Sequence, residues 1–226
     1  MNEFTHTNLY GDDLERNNAG LGADIASQRQ DTLDDMACNF VSTLLEYQST
    51  VTAGDLGCGQ GALAARLADS GAFVEAFDCL DFSSYLAAHP RVRFHQKRLE
   101  DEALFGDITD PFDLVVSQRT LHYLPYLQAQ KLMQQVTERL REQGRVFVSA
   151  SGMGSELVED YGGVTAPIHQ RLSPLGDTMS RKHGIHSPVC LYQMNELIHL
   201  LELSGLAIDS AFLSDFGNIK ITATKP

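Results

Sequence analysis

A glycine-rich turn, Asp55-Leu-Gly57-Cys-Gly59-Gln-Gly61, constrains the fold of this chain more than any other feature. It stands between an apolar strand-like segment, Val51–Leu56, and a helical one, Ala62–Ala68. Glycines at alternate positions let the backbone turn sharply and let a ligand approach without meeting a Cβ atom. The alternation then continues. Phe73–Phe77 reads as a strand, Ser83–Ala88 as a short helix, Val92–Phe94 as a half-polar strand and Phe112–Ser117 as the most apolar strand. Leu127–Leu140 carries Leu127, Leu132, Met133, Val136 and Leu140 at helical spacing, and Arg145–Ala150 returns as a fifth strand. Tyr192–Ser204 is a last helix that stops at Gly205, and Leu206–Leu213 and Asn218–Thr224 are two closing strands. Upstream, Ile25, Leu33, Met36, Ala37, Phe40, Val41, Leu44 and Leu45 mark a helix over about Asp24–Tyr47.

Strand and helix alternating in this way predict an α/β fold with a mostly parallel sheet covered on both faces. The 226 residues suit one such domain with additions. Four regions follow: an N-terminal arm and helix covering the site (1–50), the α/β core (51–150), an insertion or lid (151–190), and a final helix with a strand pair completing the sheet (191–226). Ser151–Pro188 breaks the rhythm with several glycines and prolines and little periodicity, a length of connection common in lids and substrate-binding segments.

Charge narrows the partners. The formal net charge is −13, from 30 acidic side chains against 17 Lys and Arg. Such a field repels phosphate backbones, and Lys97-Arg98 and Arg181-Lys182-His183 do not form a continuous basic stripe, so a nucleic-acid substrate is disfavoured. Cys38, Cys58, Cys79 and Cys190 give no CxxC pair and no zinc pattern. His183-x-x-His186 is interrupted by Gly184 and lacks further ligands, so no metal is expected. The polar, acidic start is unlike a signal peptide, and no apolar run approaches the roughly 20 residues of a spanning helix; a cytoplasmic protein with no membrane association is expected.

Asp78 ends the second strand, where a carboxylate can accept both hydroxyls of a ribose. Asp81 competes for that role but also suits the N-cap of the short helix after it. Gly57-x-Gly59-x-x-Ala62 satisfies a dinucleotide fingerprint, yet Asp55 puts a carboxylate where a pyrophosphate would lie, and no second mononucleotide-binding half follows. A carboxylate beside the turn suits a ligand bearing a cation or an amine.

The stretch VTAGDLGCGQGALAARLADSGAFVEAFDCLDFS resembles the first two motifs of class I S-adenosylmethionine (SAM)-dependent methyltransferases. PFDLVVSQRTLHYL, VTERLREQGRVFVSA and the tail from Leu191 are similar to that family's later strands and helices. The resemblance covers about residues 50–150 and 190–226. It implies a Rossmann-like, seven-stranded, mostly parallel sheet with an antiparallel last strand, SAM as cofactor and methyl transfer as the activity. It further implies that Asp55 and the Gly57, Gly59 and Gly61 backbone, with Cys58 in the same turn, hold the amino acid end of SAM. Asp78 would bind the ribose, Cys79 or Leu80 would lie against the adenine, and Leu99 and Glu100 would sit beside that ring. Ser117 would stand where the fourth strand opens onto the site. Arg98 replaces an acidic residue common in the family, and Gln143 replaces the first of a glycine pair. Cys58 also reads as a small filler, and Glu100-Asp-Glu102 as a solvated face.

His122, directly after the fourth strand, is the candidate general base, against an equal reading in which it packs between loop and helix. Arg119, Tyr123, Tyr161 and His169 are candidates for contact with substrate. Ser117-Gln-Arg-Thr120 lacks the Asn-Pro-Pro-Tyr type tetrapeptide of adenine or glutamine methylation and the Pro-Cys pair of cytosine attack. A small-molecule acceptor is therefore expected. The alternatives are a protein or RNA acceptor, or a SAM-binding interaction protein without turnover.

Overall fold

The computed structural model describes residues 20–23 and 31–226. The N-terminal arm and the start of the helix expected from Asp24 lie largely outside these residues. The first helix, α1 (Thr32–Leu45), begins where Asp31 accepts a hydrogen bond from the Leu33 N–H at 2.9 Å. There follow β1 (Thr52–Leu56), α2 (Ala62–Asp69), β2 (Phe73–Asp78), α3 (Ser83–Leu86), β3 (Val92–Gln96), β4 (Phe112–Gln118) and α4 (Tyr126–Arg139). Then come β5 (Leu140–Ser151), α5 (Asp177–His183), α6 (Met194–Leu203), β6 (Ala207–Leu213) and β7 (Asn218–Thr224).

The strands form one seven-stranded sheet in the order β3-β2-β1-β4-β5-β7-β6. The first five run parallel, while β7 pairs antiparallel with both β5 and β6. This is the Rossmann-like sheet expected. β1 and β4 are neighbours although β2 and β3 intervene in sequence, so the carboxyl ends of β1, β2 and β4 share one edge at the switch in strand order.

Two apolar layers cover the sheet. On one face Ala53, Val74, Ala76, Leu114, Val116 and Phe147 meet α1 and α2 through Leu33, Val41, Leu63 and Leu67. On the other, Val115, Val148, Ala150, Ile219 and Ile221 meet α4 and α6 through Leu132, Met133, Leu197 and Leu200. α6 starts with a capping box in which the Gln193 and Glu196 side chains exchange hydrogen bonds with each other's backbone, and its chain exit turns at Gly205, φ +88°.

The insertion has a core of its own. Residues 151–190 are folded: they contain α5, 3-10 turns at Glu156–Val158 and Ile168–Gln170, and an apolar cluster of Leu157, Tyr161, Leu175, Met179, Ile185 and Val189, joined by Leu191 just beyond. Their periodicity is absent because the cluster joins irregular turns rather than one face of a helix. α5 ends at His183 with Gly184 in the left-handed conformation, which takes His186 off the helix. Buried Arg171 ties the insertion to α6 by two bonds to Glu196, at 2.5 and 2.8 Å, and by bonds to the Leu191 and Ala166 carbonyls.

Candidate cofactor and acceptor site

The glycine turn follows β1 directly. Gly57, Gly59 and Gly61 have φ of +76°, +54° and +82°, a conformation that costs other L-residues about 1–2 kcal/mol. Two of them are also required by packing. A Cβ on Gly57 would lie 2.3 Å from Thr120 Oγ1, and one on Gly61 would lie 2.1 Å from Leu86 Cδ2. These glycines thus seat the loop after β4 and helix α3 against the turn, a reason the sequence alone does not give.

The turn directs its N–H groups inward. Gly57 and Cys58 donate to the Phe77 carbonyl at 2.8 and 3.0 Å, and Gly61 donates to the Cys58 carbonyl at 2.9 Å. Gly59 donates to Asp78 Oδ2 at 3.0 Å, and Leu80 donates to Asp78 Oδ1 at 3.0 Å. Donors spent in this way do not form the anion-binding nest that a pyrophosphate needs. What remains around the turn is acidic: Asp55, 2% exposed, lies one residue short of β1's terminus, and Asp78 ends β2. A carboxylate offers about four lone-pair sites, and each oxygen of Asp78 accepts one backbone N–H, which leaves capacity for a hydroxyl. The set fits a ligand with a cationic end and a vicinal diol, which SAM has. Asp81 instead stands in solvent and accepts from the Ser83 N–H at 2.9 Å, while hydrogen bonding to Ser83 lowers its pKa.

The other expected cofactor residues separate into two groups. Cys79 is exposed and Leu80 half-buried beside Asp78, on the open side. Leu99 is in the core with Phe77 and Phe105, while half-buried Glu100 pairs with exposed Arg98 at 2.7 Å. Arg98 is therefore a surface partner of Glu100. Ser117 is fully covered and donates its hydroxyl to the Leu56 carbonyl at 3.4 Å, so it braces β4 against β1. Cys58 is buried in the α1/α2 core, as a filler would be. Gln143 takes φ +64° in the turn where the family has glycine, with its N–H on the Lys225 carbonyl.

Along the β4 edge, His122 is 2% exposed, and burial, with the positive charge of Arg119 second, pushes its pKa down to about 3. Its Nδ1 accepts the Ser151 N–H at 3.4 Å, and its carbonyl accepts the Cys190 N–H at 2.7 Å. A ring so placed holds together β4's loop, β5 and the insertion; it matches the packing reading and is poorly placed to collect a proton. Tyr123 donates its hydroxyl to the Leu21 carbonyl at 2.7 Å, beside the pairing of Gly20–Gly22 with Gly184–His186. Tyr161, expected to meet substrate, is instead a buried lock: its hydroxyl lies 2.5 Å from the Arg171 carbonyl and 2.6 Å from that of Val189, and burial pushes its pKa up to about 12. His169 is exposed on a 3-10 turn that packs near α4.

One arrangement has no sequence signal. Gln118, Ser149 and Lys220 are neighbours across β4, β5 and β7, and α1 lays two acids over them. Lys220 bonds Asp31 at 2.7 Å; Gln118 and Arg66 both bond Asp34; Ser149 donates to Gln118 Oε1 at 2.5 Å. Burial raises the Asp34 pKa against the opposing pull of Gln118 and Arg66, whereas the Lys220 bond holds Asp31 low in spite of its own burial.

Residues 55–146 match a family described as a methyltransferase domain. The match takes in the glycine turn, Asp78 and the β4 edge. Among solved structures, the fold is similar to a SAM-dependent methyltransferase of Clostridium acetobutylicum (TM-score 0.64, 13% identity, 88% of this chain and 93% of that one). It is also similar to the 1,6-didemethyltoxoflavin N1-methyltransferase of Burkholderia thailandensis, crystallised with 1,6-didemethyltoxoflavin and S-adenosylhomocysteine (TM-score 0.62, 18% identity, 89% and 81%). In sequence, 104 residues are 32% identical to the ribosomal RNA small subunit methyltransferase C of Chromohalobacter salexigens. That match spans 43% of this chain and only 30% of the relative. No helix among the described residues is long and apolar enough to cross a membrane.

Proposed function

We propose that this methyltransferase binds SAM over the Gly57–Gly61 turn and transfers its methyl group to a small-molecule O, N or C acceptor. The observation that carries the reading is the pair of carboxylates, Asp55 and Asp78, flanking a left-handed glycine turn whose N–H groups are bonded within the fold. In this reading Asp55 and the Gly57–Gly61 backbone face the amino acid end, Asp78 takes the ribose hydroxyls, and Cys79 and Leu80 border the adenine. Leu99 shapes that side from within the core, Glu100 lies at its rim, and Ser117 supports the floor. SAM supplies a methyl group already activated by sulfonium. The chain's task is to align the acceptor and keep water away. His122 orders this edge without acting as base, so a proton released by the acceptor leaves through solvent.

The overall charge of −13 and the neighbour named for a didemethyltoxoflavin support a small acceptor. The rRNA methyltransferase relative supports RNA as the second reading. Calorimetry with S-adenosylhomocysteine and with NAD tests the cofactor; binding of NAD, or of neither, would overturn it. A Gly59→Val variant is expected to lose the S-adenosylhomocysteine signal. Incubation with methyl-labelled SAM and a cell extract, split into small molecules and RNA, then tests the acceptor, with label in RNA refuting the leading reading.

A further inference from the structure

We propose that Arg119 is the residue that recognises the acceptor, and that the acceptor carries an anionic group such as a carboxylate or phosphate. The inference rests on the methyltransferase reading and deepens it.

Arg119 follows the last residue of β4, at the carboxyl edge beside the glycine turn, and its φ is +50°. A long side chain in the left-handed region is strained, and nothing about a turn here requires arginine where glycine would do. The strain is held in place by a directed line of hydrogen bonds. The Arg119 N–H donates to the Ser149 carbonyl at 2.9 Å and to Ser149 Oγ at 3.0 Å. The Ser149 hydroxyl donates to Gln118 Oε1, and the Gln118 amide donates to Asp34 of α1. Asp34 is anchored in turn by Arg66. Side chains from β4, β5, α1 and α2 thereby fix one backbone conformation. Three and four residues on stand His122 and Tyr123; burial holds His122 neutral, and the positive charge of Arg119 adds to that. Tyr123 in turn packs against the insertion's apolar cluster and bonds the Leu21 carbonyl. Arg119 thus stands where β4, the Gly20–Gly22 strap and the insertion converge. Guanidinium's planar donors match carboxylate or phosphate oxygens two at a time.

The stability of Arg119→Gly decides between a structural and a ligand-binding role. Glycine relieves the left-handed strain, so a residue retained for a ligand predicts an unfolding midpoint equal to or above that of the wild type. A lower midpoint would overturn the proposal. The second arm uses 14C-methyl-labelled SAM with a cell extract freed of protein and RNA, resolved by anion exchange. Labelled product should be retained as an anion, and its formation should fall at least about 30-fold in Arg119→Gln while S-adenosylhomocysteine affinity stays within about threefold, the scale of losing a bidentate charge-assisted contact. Neutral or cationic product, or undiminished labelling in Arg119→Gln, would overturn it. Ser149→Ala should raise the acceptor KM without shifting S-adenosylhomocysteine affinity, and Ser149→Thr should restore it; an unchanged KM in Ser149→Ala would remove the hydrogen-bonded line from the argument. Failure to bind S-adenosylhomocysteine or to label any product refutes the methyltransferase reading instead, and leaves the Arg119→Gly midpoint as a separate test of this residue.

Discussion

Around β1 and β2 the site is made by the main chain: glycine N–H groups, the Phe77 carbonyl and one carboxylate pinned by two amides. Around β4, β5 and β7 it is made by side chains, with Gln118, Ser149 and Lys220 in one row under Asp31 and Asp34 of α1. The first region rests on its glycine backbone and on Asp55 and Asp78. The second depends on each polar partner, because a buried group that loses its partner bears the full desolvation cost. In the proposed function, the same sheet edge offers a backbone grip for SAM beside a wall of side-chain pairs for the acceptor.

The largest expected effect lies in the insertion, outside both regions. Arg171→Leu leaves Glu196 without its buried partner and should cost about 3–5 kcal/mol of folding stability, read from urea unfolding. If the comparison is right, the residual folded protein at low temperature still binds S-adenosylhomocysteine normally. Loss of binding in step with the insertion would show that the glycine turn depends on side-chain pairs outside it.

Next comes Asp78→Ala. Removing charge-assisted bonds to a ribose should weaken S-adenosylhomocysteine binding by about 1.5–3 kcal/mol, whereas Asp81→Ala, at an exposed cap, should leave it unchanged. Calorimetry on both variants checks this, and parity between them would remove Asp78 from the grip.

Gly57→Ala should cost about 1–2 kcal/mol from its left-handed backbone alone, with a further penalty if Thr120 cannot turn aside. It should also shift the β4 loop. An unfolding midpoint equal to wild type would show that the main-chain side is less constrained than described.

The effect that is smallest at neutral pH, and grows only as the pH falls, belongs to His122, where the two regions meet. Its folded pKa of about 3 lies below the ordinary histidine value of 6.5, so between those values the unfolded chain binds a proton that the folded chain does not. Its contribution is complete above pH 6.5 and is lost as pH falls toward 3, at up to about 1.4 kcal/mol per pH unit. His122→Asn should flatten that part of the stability profile. A profile identical to wild type would mean the ring is less buried than described.

The main-chain region was legible in the sequence because its signals are local. Asp55, the three glycines and Asp78 lie within 24 residues, and each has a conformational or charge reason visible in the order of residues. The wall was not. Asp34, Gln118, Ser149 and Lys220 become neighbours only when three strands and a helix are assembled, and none is unusual in its own segment. Tyr161 and His169 were chosen for their chemistry in an aperiodic stretch, but a buried phenol locks that stretch and the imidazole faces solvent. Arg171 gave no signal at all, since only its distant partner Glu196 makes it structural. The left-handed Arg119 was equally hidden, because Gln-Arg-Thr contains no residue that announces a positive φ.

The placement of β7 bears on how the protein is made. This strand follows β6 in sequence, yet it enters the sheet between β5 and β6 and brings Lys220 beside Ser149. During synthesis the β3-β2-β1-β4-β5 portion can pair as it emerges, and the glycine turn with it. β5 must then wait with an open edge until residues 218–224 leave the ribosome, a span in which unpaired strand edges invite association with other chains. A nascent chain of this protein would acquire its grip on one ligand well before the wall for the other exists.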